Sequence, residues 1–250
     1  MARHPLQVCA PTSYEILGAV AGELPMNLRL YLDTADTAAW DRWLPVGIFH
    51  GVTSNPLLLE KAKVPCTIAS LTKLAAQAFE LGAQEVQLQT WGETQDTLVS
   101  TGKALAAIDQ RVVVKVPITQ LGTEAAATLI ADGIRVTLTA VYEVPQILIA
   151  AALGASYAAP YLGRINDAGG NGRESLARMQ QALDGVQSST RILAASIRDV
   201  DDLAYLATQG LNTFTFAPRI AEALFGSEQT AAATVTFEKA AGAMGTAGAS

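Results

Sequence analysis

The regular alternation of short apolar runs with helix-length amphipathic segments is the feature that most constrains the fold. Eight such runs follow one another, and they start about 26 residues apart, room for one strand, one helix and two short connections. Strands that alternate with helices form parallel sheets, and eight such units predict a closed α/β fold, the (β/α)8 TIM barrel. The predicted strands are Leu28–Asp33, Gly51–Ser54, Glu85–Thr90, Val112–Val116, Arg135–Val141, Tyr157–Tyr161, Arg191–Ala195 and Thr213–Ala217.

An open, doubly wound sheet is the alternative architecture. It requires a glycine-rich phosphate-binding turn after the first strand, but that strand is followed by Thr34–Thr37, which contains no glycine. The run Gly169–Gly172 follows the sixth strand instead, and such a run is most often a plain loop. We therefore predict an N-terminal extension over residues 1–27, one barrel over 28–227, and a C-terminal helix or tail over 228–250.

Composition narrows the classes of function. The net charge of −6 argues against a nucleic-acid surface, and the longest apolar run, Val144 to Ala155, is too short for a membrane span of about 20 residues. Two cysteines, Cys9 and Cys66, do not make a secreted-type disulfide framework, and residues 1–27 fit a signal peptide poorly. We expect a cytoplasmic chain. Because only 16% of its residues are charged, part of its uncharged surface is expected to form subunit contacts.

Lys115 is the strongest candidate for a catalytic residue. It lies within Val112–Pro117, the most strand-like segment, whereas the other lysines lie in helix- or loop-like contexts. Lysines are rarely buried without a reason, and a desolvated lysine has a lowered pKa and a neutral amine that can form a Schiff base. Two structural interpretations stay open at this point: a buried salt bridge to Asp33, or a lysine that faces a helix.

Other polar residues lie at the carboxyl ends of predicted strands, where barrel active sites form. Asp33 is either a general acid/base or a helix N-cap, and Asn55 either orients a substrate hydroxyl or belongs to a turn. Gln89 and Thr139 are candidates to hold a catalytic water. Each of these signals is weak when taken alone.

The residues after strands seven and eight are candidates for a phosphate site. Ser196, Arg198 and Arg219 follow these strands, and the arginine fork matches phosphate geometry, although surface arginines are equally common. His50, at the opposite end of a strand, is interpreted as structural. No cluster of cysteine and histidine has metal-ligand spacing, so we expect no metal site.

Several segments resemble the transaldolase family, in particular its short members, which include fructose-6-phosphate aldolases. The matching segments occur in family order from about Leu30 to Pro218, and a further match, FEKAAGAMG, lies near the C-terminus. They are LYLDTAD, GVTSNPLLL, VVVKVPIT, LTAVY, YAAPYLGRI, ILAASIRD and TFAP. The resemblance implies a barrel of the class I aldolase type that works without a metal or organic cofactor on small-molecule sugar phosphates.

The resemblance also implies a role for each matching residue. Lys115 corresponds to the Schiff-base lysine, Asp33 to the aspartate that acts with it, and Thr139 to the threonine that helps hold the catalytic water. The implied substrate-binding residues are Thr53 and Asn55 in the TSNP run, and Arg164, Ser196 and Arg198 at the phosphate end. The run RINDAGG, which starts at Arg164, departs from the RIDAQGG-like run of the family.

Two positions indicate which branch of the family this chain resembles. Gln89 stands where larger transaldolases have a glutamate, and Tyr161 stands where they have a phenylalanine. Both choices resemble the aldolase subset, in which the tyrosine transfers protons, whereas Arg198 resembles transaldolases. We therefore expect Schiff-base aldol chemistry on sugar phosphates such as fructose 6-phosphate. The proton-transfer group stays open between Tyr161, Asp33 and a water held by Gln89 and Thr139.

Three other functions stay open. They are dihydroxyacetone transfer between sugar phosphates, an inactive barrel that binds phosphosugars, and a phosphosugar isomerase. The resemblance further implies a homo-oligomer, a pentamer or a decamer, in which a C-terminal helix over Thr230–Met244 reaches a neighbouring subunit.

Overall fold

The computed structural model describes residues 28–245 as eight parallel strands that alternate with helices. Expectations about residues 1–27 and 246–250 lie outside the described residues. The strands are β1 (Arg29–Asp33), β2 (Phe49–Thr53), β3 (Glu85–Gln89), β4 (Val112–Pro117), β5 (Val136–Val141), β6 (Tyr157–Pro160), β7 (Arg191–Ile192) and β8 (Thr213–Phe216). The helices are α1 (Thr37–Trp43), α2 (Pro56–Lys61), α3 (Ile68–Glu80), α4 (Gln95–Ala106), α5 (Gln120–Ala131), α6 (Ile147–Leu153), α7 (Leu162–Asp167), α8 (Gly172–Gly185), α9 (Val200–Thr208), α10 (Pro218–Leu224) and α11 (Glu228–Gly245).

The strands close into a barrel in chain order, which confirms the predicted (β/α)8 fold. Each strand pairs in parallel with the next, and β1 pairs with β8. The remaining gap, between β7 and β8, is bridged by Ala194, whose carbonyl accepts a hydrogen bond from the Thr215 amide at 2.9 Å. The open doubly wound alternative is therefore wrong.

Strand boundaries differ from the predicted ones by a few residues. β7 is short because the chain beyond Ile192 makes only isolated bridges, from Ala194 to β8 and from Ala195 to Tyr161. β2 begins at Phe49, so His50 lies inside the strand rather than before it, and its ring contacts the edge of Tyr31. Despite these shifts, the predicted site residues still lie at or just after the carboxyl ends of the strands.

Alternation along the strands produces two packed layers. Leu32 and its equivalents face the helices in the main hydrophobic core, while Tyr31, Val113 and Tyr157 pack inside the barrel. Because successive side chains of a strand point to opposite faces, residues two positions apart share the interior. Asp33 and Lys115 therefore fall on the interior side, two residues after Tyr31 and Val113.

The helix starts follow ordinary capping chemistry. Thr67, Thr94 and Thr119 cap α3, α4 and α5 with their side-chain oxygens, and Asn171 caps α8.

α11 extends from Glu228 to Gly245 without burying a residue against the rest of the chain. Its predicted contact with a neighbouring subunit stays a prediction. Among residues 28–245, no helix combines the length and apolar character needed to cross a membrane.

Candidate active site

A cavity of about 240 Å³ lies at the carboxyl ends of the strands. It brings together six of the predicted site residues, whereas Thr53, Gln89, Thr139 and Arg198 do not line it. The lining residues are Asp33, Asn55, Leu57, Leu58, Lys61, Lys115, Tyr161, Arg164, Ala195 and Ser196. Side chains from at least five strand ends thus converge on one space.

Lys115 reaches this cavity from β4 and is only 3% exposed. Burial lowers the pKa of Lys115, and the carboxylate of Asp33 raises it part of the way back. Among residues 28–245, Lys115 belongs to none of the ion pairs formed within 4.0 Å. The side chain is therefore neither a salt-bridge partner of Asp33 nor directed at a helix. It is a desolvated amine at a cavity wall.

Asp33 is held by a chain of hydroxyl groups. The Thr53 hydroxyl donates to Oδ1 of Asp33 at 2.7 Å, and the Thr215 and Thr53 hydroxyl oxygens are 2.6 Å apart. Because Thr53 has one proton and gives it to Asp33, Thr215 must donate to Thr53. Thr53 thus acts behind the cavity wall rather than on it. Thr215 is a supporting residue that the sequence analysis missed. It lies two residues after Thr213 in β8, so both side chains are on the same face of the strand, and this alternation was the available signal.

Asn55 combines both interpretations made from the sequence. Its side-chain oxygen accepts a hydrogen bond from the Leu58 amide at 3.1 Å and caps α2. The same residue lines the cavity, so the amide nitrogen is the end that is left to donate there. Pro56 at the first helical position supports this arrangement, since its fixed φ angle suits a helix start.

Tyr161 follows β6 and directs its hydroxyl to Thr139, 2.8 Å away. Burial raises the pKa of Tyr161, so its phenol is protonated near neutral pH. Thr139 is buried, and Ala140 after it has a φ of 60° at a register shift of β5. Such a bulge re-aims neighbouring side chains, which places Thr139 behind Tyr161 rather than on the cavity wall.

Arg164 and Ser196 form the outer end of the cavity. The Arg164 guanidinium lies 5.1 Å from the centre of the Tyr161 ring, and its Nη1 is 3.4 Å from the Tyr142 hydroxyl. Ser196 has a φ of 58°, a conformation that costs free energy for residues other than glycine. Its carbonyl accepts a hydrogen bond from the Gly163 amide at 3.0 Å. The cavity thus has an exposed cation, Arg164, and a serine, Ser196, among its lining residues.

Arg198 and Gln89 are not in the cavity. Arg198 forms two hydrogen bonds with the Asp167 carboxylate, and both side chains are about half exposed. Asp167 belongs to the run that departs from the family pattern, and its charge gives Arg198 a partner outside the cavity. Gln89 ends β3 directly beside Lys115 in strand register, yet it does not reach the wall. Arg219 donates to the Arg198 carbonyl at 3.3 Å and is likewise outside.

Lys61 is a cavity residue that the sequence analysis missed. The sequence analysis groups it with the lysines in helix- or loop-like contexts, but it is the last residue of α2 and lines the same cavity as Asn55. The available signal was distance along the helix, because a helix of six residues that starts at the cavity also ends near it. Lys61 adds a second exposed positive charge to the cavity.

Among the described residues, no group of three or more histidine, cysteine, aspartate or glutamate side chains is arranged to hold a metal.

Comparison with known proteins identifies relatives over most of the chain. A family model described as transaldolase/fructose-6-phosphate aldolase matches residues 30–247. A probable transaldolase of Phenylobacterium zucineum is 32% identical over 198 residues, which cover 79% of this chain and 89% of the relative. A probable transaldolase of Hyphomonas neptunium is 31% identical over 210 residues, 84% of this chain and 95% of the relative.

Two solved structures at 16% identity are similar to this chain in fold alone. Thiamine phosphate pyrophosphorylase from Pyrococcus furiosus superposes with a TM-score of 0.55 at 16% identity, over 81% of this chain and 90% of that one. A mandelate oxidase variant superposes with a TM-score of 0.54 at 16% identity, over 80% of this chain and 68% of that one. Both likenesses concern the architecture and carry no argument about activity.

Proposed function

The chain belongs to the transaldolase/fructose-6-phosphate aldolase family and is an enzyme of that aldolase/transaldolase type, and on this premise we propose that Lys115 forms a Schiff base with a ketose phosphate. The proposed reaction cleaves or forms the bond between C3 and C4 of sugar phosphates such as fructose 6-phosphate. The single observation that carries it is the buried amine of Lys115 at a cavity that also holds Asp33, Asn55 and Tyr161.

The first step needs a neutral amine. Burial lowers the pKa of Lys115, which increases the neutral fraction near physiological pH. The Lys115 nitrogen attacks the C2 carbonyl, the carbinolamine loses its oxygen as water, and a protonated imine remains. Tyr161 suits the proton donor to that departing oxygen, because its raised pKa keeps the phenol protonated.

The second step breaks the carbon–carbon bond. A base takes the proton of the C4 hydroxyl, the C3–C4 electron pair moves toward the imine, and an aldehyde leaves an enamine on Lys115. Asp33 suits this base, because its carboxylate is oriented by the Thr53 hydroxyl at 2.7 Å and lines the cavity beside Lys115. The enamine then takes a proton at C3 and is hydrolysed, or it adds to a second aldehyde.

The substrate phosphate is proposed to lie at the outer end of the cavity. Arg164 and Lys61 supply positive charge there, and Ser196 supplies a hydroxyl group. Asn55 is proposed to donate its amide N–H to a substrate hydroxyl, since its oxygen already caps α2. Thr139 and Gln89 are proposed to act through a water molecule between Tyr161 and Lys115.

Free-standing aldol cleavage is the reaction we favour. Tyr161 with its hydroxyl next to Thr139, and Gln89 in place of a glutamate, resemble the aldolase subset. Transfer of the dihydroxyacetone unit is the second candidate, because the relatives quoted above are named probable transaldolases. Measuring free dihydroxyacetone released from fructose 6-phosphate against transfer to erythrose 4-phosphate separates the two.

Borohydride trapping tests the proposal as a whole. The protein is reduced in the presence of dihydroxyacetone, and the peptides are mapped by mass spectrometry. We expect one covalent adduct, on the peptide with Lys115, and none in Lys115→Met. Lys61→Met is the matched control, because Lys61 shares the cavity and should leave the adduct in place. Absence of an adduct would favour the inactive phosphosugar-binding barrel or the isomerase and overturn the Schiff-base mechanism.

A further inference from the structure

Two buried threonines reach Asp33 from the strands on either side of β1. In strand register Asp33 lies opposite Thr53 of β2, and Tyr31 lies opposite Thr215 of β8. Tyr31 packs inside the barrel, and residues that lie opposite one another share a face of the sheet, so Thr215 points inward as well. The Thr53 and Thr215 hydroxyl oxygens are 2.6 Å apart, and both side chains are fully buried. Strands β2 and β8 are thus joined through their side chains next to Asp33.

The direction of the two hydrogen bonds follows from the number of protons. An ionised carboxylate only accepts, so Thr53 gives its single hydroxyl proton to Oδ1 of Asp33, 2.7 Å away. The bond between the two threonines must then be donated by Thr215. Hydrogen bonds in such a chain polarise one another, so the bond from Thr215 strengthens the one that Asp33 receives.

This arrangement fixes the orientation of the Asp33 carboxylate. The bond from Thr53 occupies Oδ1, and Asp33 lines the Lys115 cavity, so Oδ2 is the oxygen that can meet a substrate hydroxyl. A carboxylate held at one oxygen does not turn freely about its Cβ–Cγ bond. Because a general base must lie within hydrogen-bond distance of the proton it removes, this restraint affects the proton-removal step.

We propose that Thr215 is a positioning residue for carbon–carbon bond cleavage and plays no part in imine formation. The inference rests on the proposed function, in which Asp33 takes the C4 hydroxyl proton while the C3–C4 electron pair moves into the imine. Thr215 does not line the cavity, so its effect passes through Thr53 to Asp33. Imine formation instead depends on the desolvated amine of Lys115, which the Thr215 hydroxyl does not contact.

Two measurements on the full chain separate the two steps. Borohydride trapping with dihydroxyacetone reports imine formation. Release of glyceraldehyde 3-phosphate from fructose 6-phosphate in a single turnover reports carbon–carbon cleavage, and both candidate reactions include this release. Thr215→Val replaces the hydroxyl by a methyl group and should lower the cleavage rate about five-fold, the range of one hydrogen bond, with a native adduct yield. Thr53→Val removes the direct donor and should lower the rate further.

The controls use the same strand. Thr215→Ser keeps the hydroxyl and should recover most of the native cleavage rate. Thr213→Val makes the same substitution on the same face of β8, and its hydroxyl bonds to Asn212 and Arg191 rather than to Thr53. It should leave both measurements at native values. Circular dichroism checks that each variant is folded, and Thr215→Ala replaces Thr215→Val if the latter is not.

A double-variant cycle separates positioning from a general structural role. In an Asp33→Asn background, Thr215→Val should lower the cleavage rate no further, because its effect passes through the Asp33 carboxylate, whereas independent effects multiply. The inference is overturned by a native cleavage rate in Thr215→Val, by an equal loss in Thr213→Val, by no recovery in Thr215→Ser, or by a loss that persists in Asp33→Asn. A parallel loss of adduct in Thr215→Val also overturns it. In all these cases the Lys115 adduct of the native chain remains, whereas its absence there overturns the proposed function together with this inference.

Discussion

The Tyr161 hydroxyl lies 2.8 Å from the hydroxyl of Thr139, which is buried behind the cavity that Tyr161 and Lys115 line. The two residues come from neighbouring strand ends, β6 and β5, and the bulge at Ala140 aligns them. The pair couples a protonated phenol to a buried hydroxyl beside the proposed imine. This pair is the proton-transfer route that we propose, and it does not require a histidine.

Tyr161→Phe should reduce kcat for aldol cleavage by about 100-fold or more, the usual contribution of a general acid. The ring and its packing stay, so KM and Tm should change little. Tyr142→Phe is the matched control, because the Tyr142 ring contacts Tyr161 edge-on at 5.6 Å but does not line the cavity. Steady-state kinetics of both variants are compared. An equal loss in both would assign the effect to packing.

The pH dependence of imine formation should report the environment of Lys115. Only the neutral amine attacks, so the rate should rise with pH and level off above the lowered pKa of Lys115. The Asp33 charge raises this pKa, so Asp33→Asn should move the midpoint to lower pH. The measurement is adduct yield after imine formation at each pH and a borohydride quench, which does not require turnover.

The control for this shift is Asp96→Asn, the same charge change in the first turn of α4. It should leave the midpoint of imine formation unchanged. A midpoint that moves equally in both variants, or to higher pH in Asp33→Asn, contradicts the arrangement described for Asp33 and Lys115.

Asp167 should limit how tightly phosphorylated substrates bind. It holds Arg198 outside the cavity, so Asp167→Asn should release Arg198 toward the substrate phosphate. We expect KM for fructose 6-phosphate to fall about two- to five-fold, the range of an exposed ion pair, with little change for unphosphorylated dihydroxyacetone. The gain should vanish in the double variant with Arg198→Gln. A gain that persists there would exclude Arg198 as its source.

Native mass spectrometry should find a pentamer or a decamer. α11 exposes Val235, Phe237 and Met244, each more than half accessible, and buries no residue within the subunit. Covering such side chains is a common reason for assembly. Phe237→Asp should shift the mass toward smaller species, whereas Lys239→Gln, on the same helix, should not. A native chain that is monomeric at assay concentration contradicts this prediction.

Much of the fold could be predicted because the spacing of apolar residues along the chain indicates which segments form buried strands. The segment around Lys115 is apolar for a strand length and then ends at Pro117, and all eight predicted strands are present. The site was predictable in outline for the same reason, since the carboxyl ends of parallel strands meet at one edge. The early end of β7 at Ile192 was not predicted, because strand pairing depends on neighbouring strands rather than on local periodicity.

The amino-acid sequence by itself determined the eight strand–helix units, the family, and the set of polar residues that end the strands. Only the tertiary structure decided which of them meet: Lys61 joins the cavity, Arg198 pairs with Asp167 outside it, and Thr215 supports Asp33 through Thr53. The physical reason is that periodicity is a local property of the chain, whereas contacts at the site join residues far apart in it. Periodicity reports which face of an element is buried, whereas hydrogen bonds and ion pairs depend on distances of a few ångströms between residues far apart in the chain. Barrel closure sets those distances.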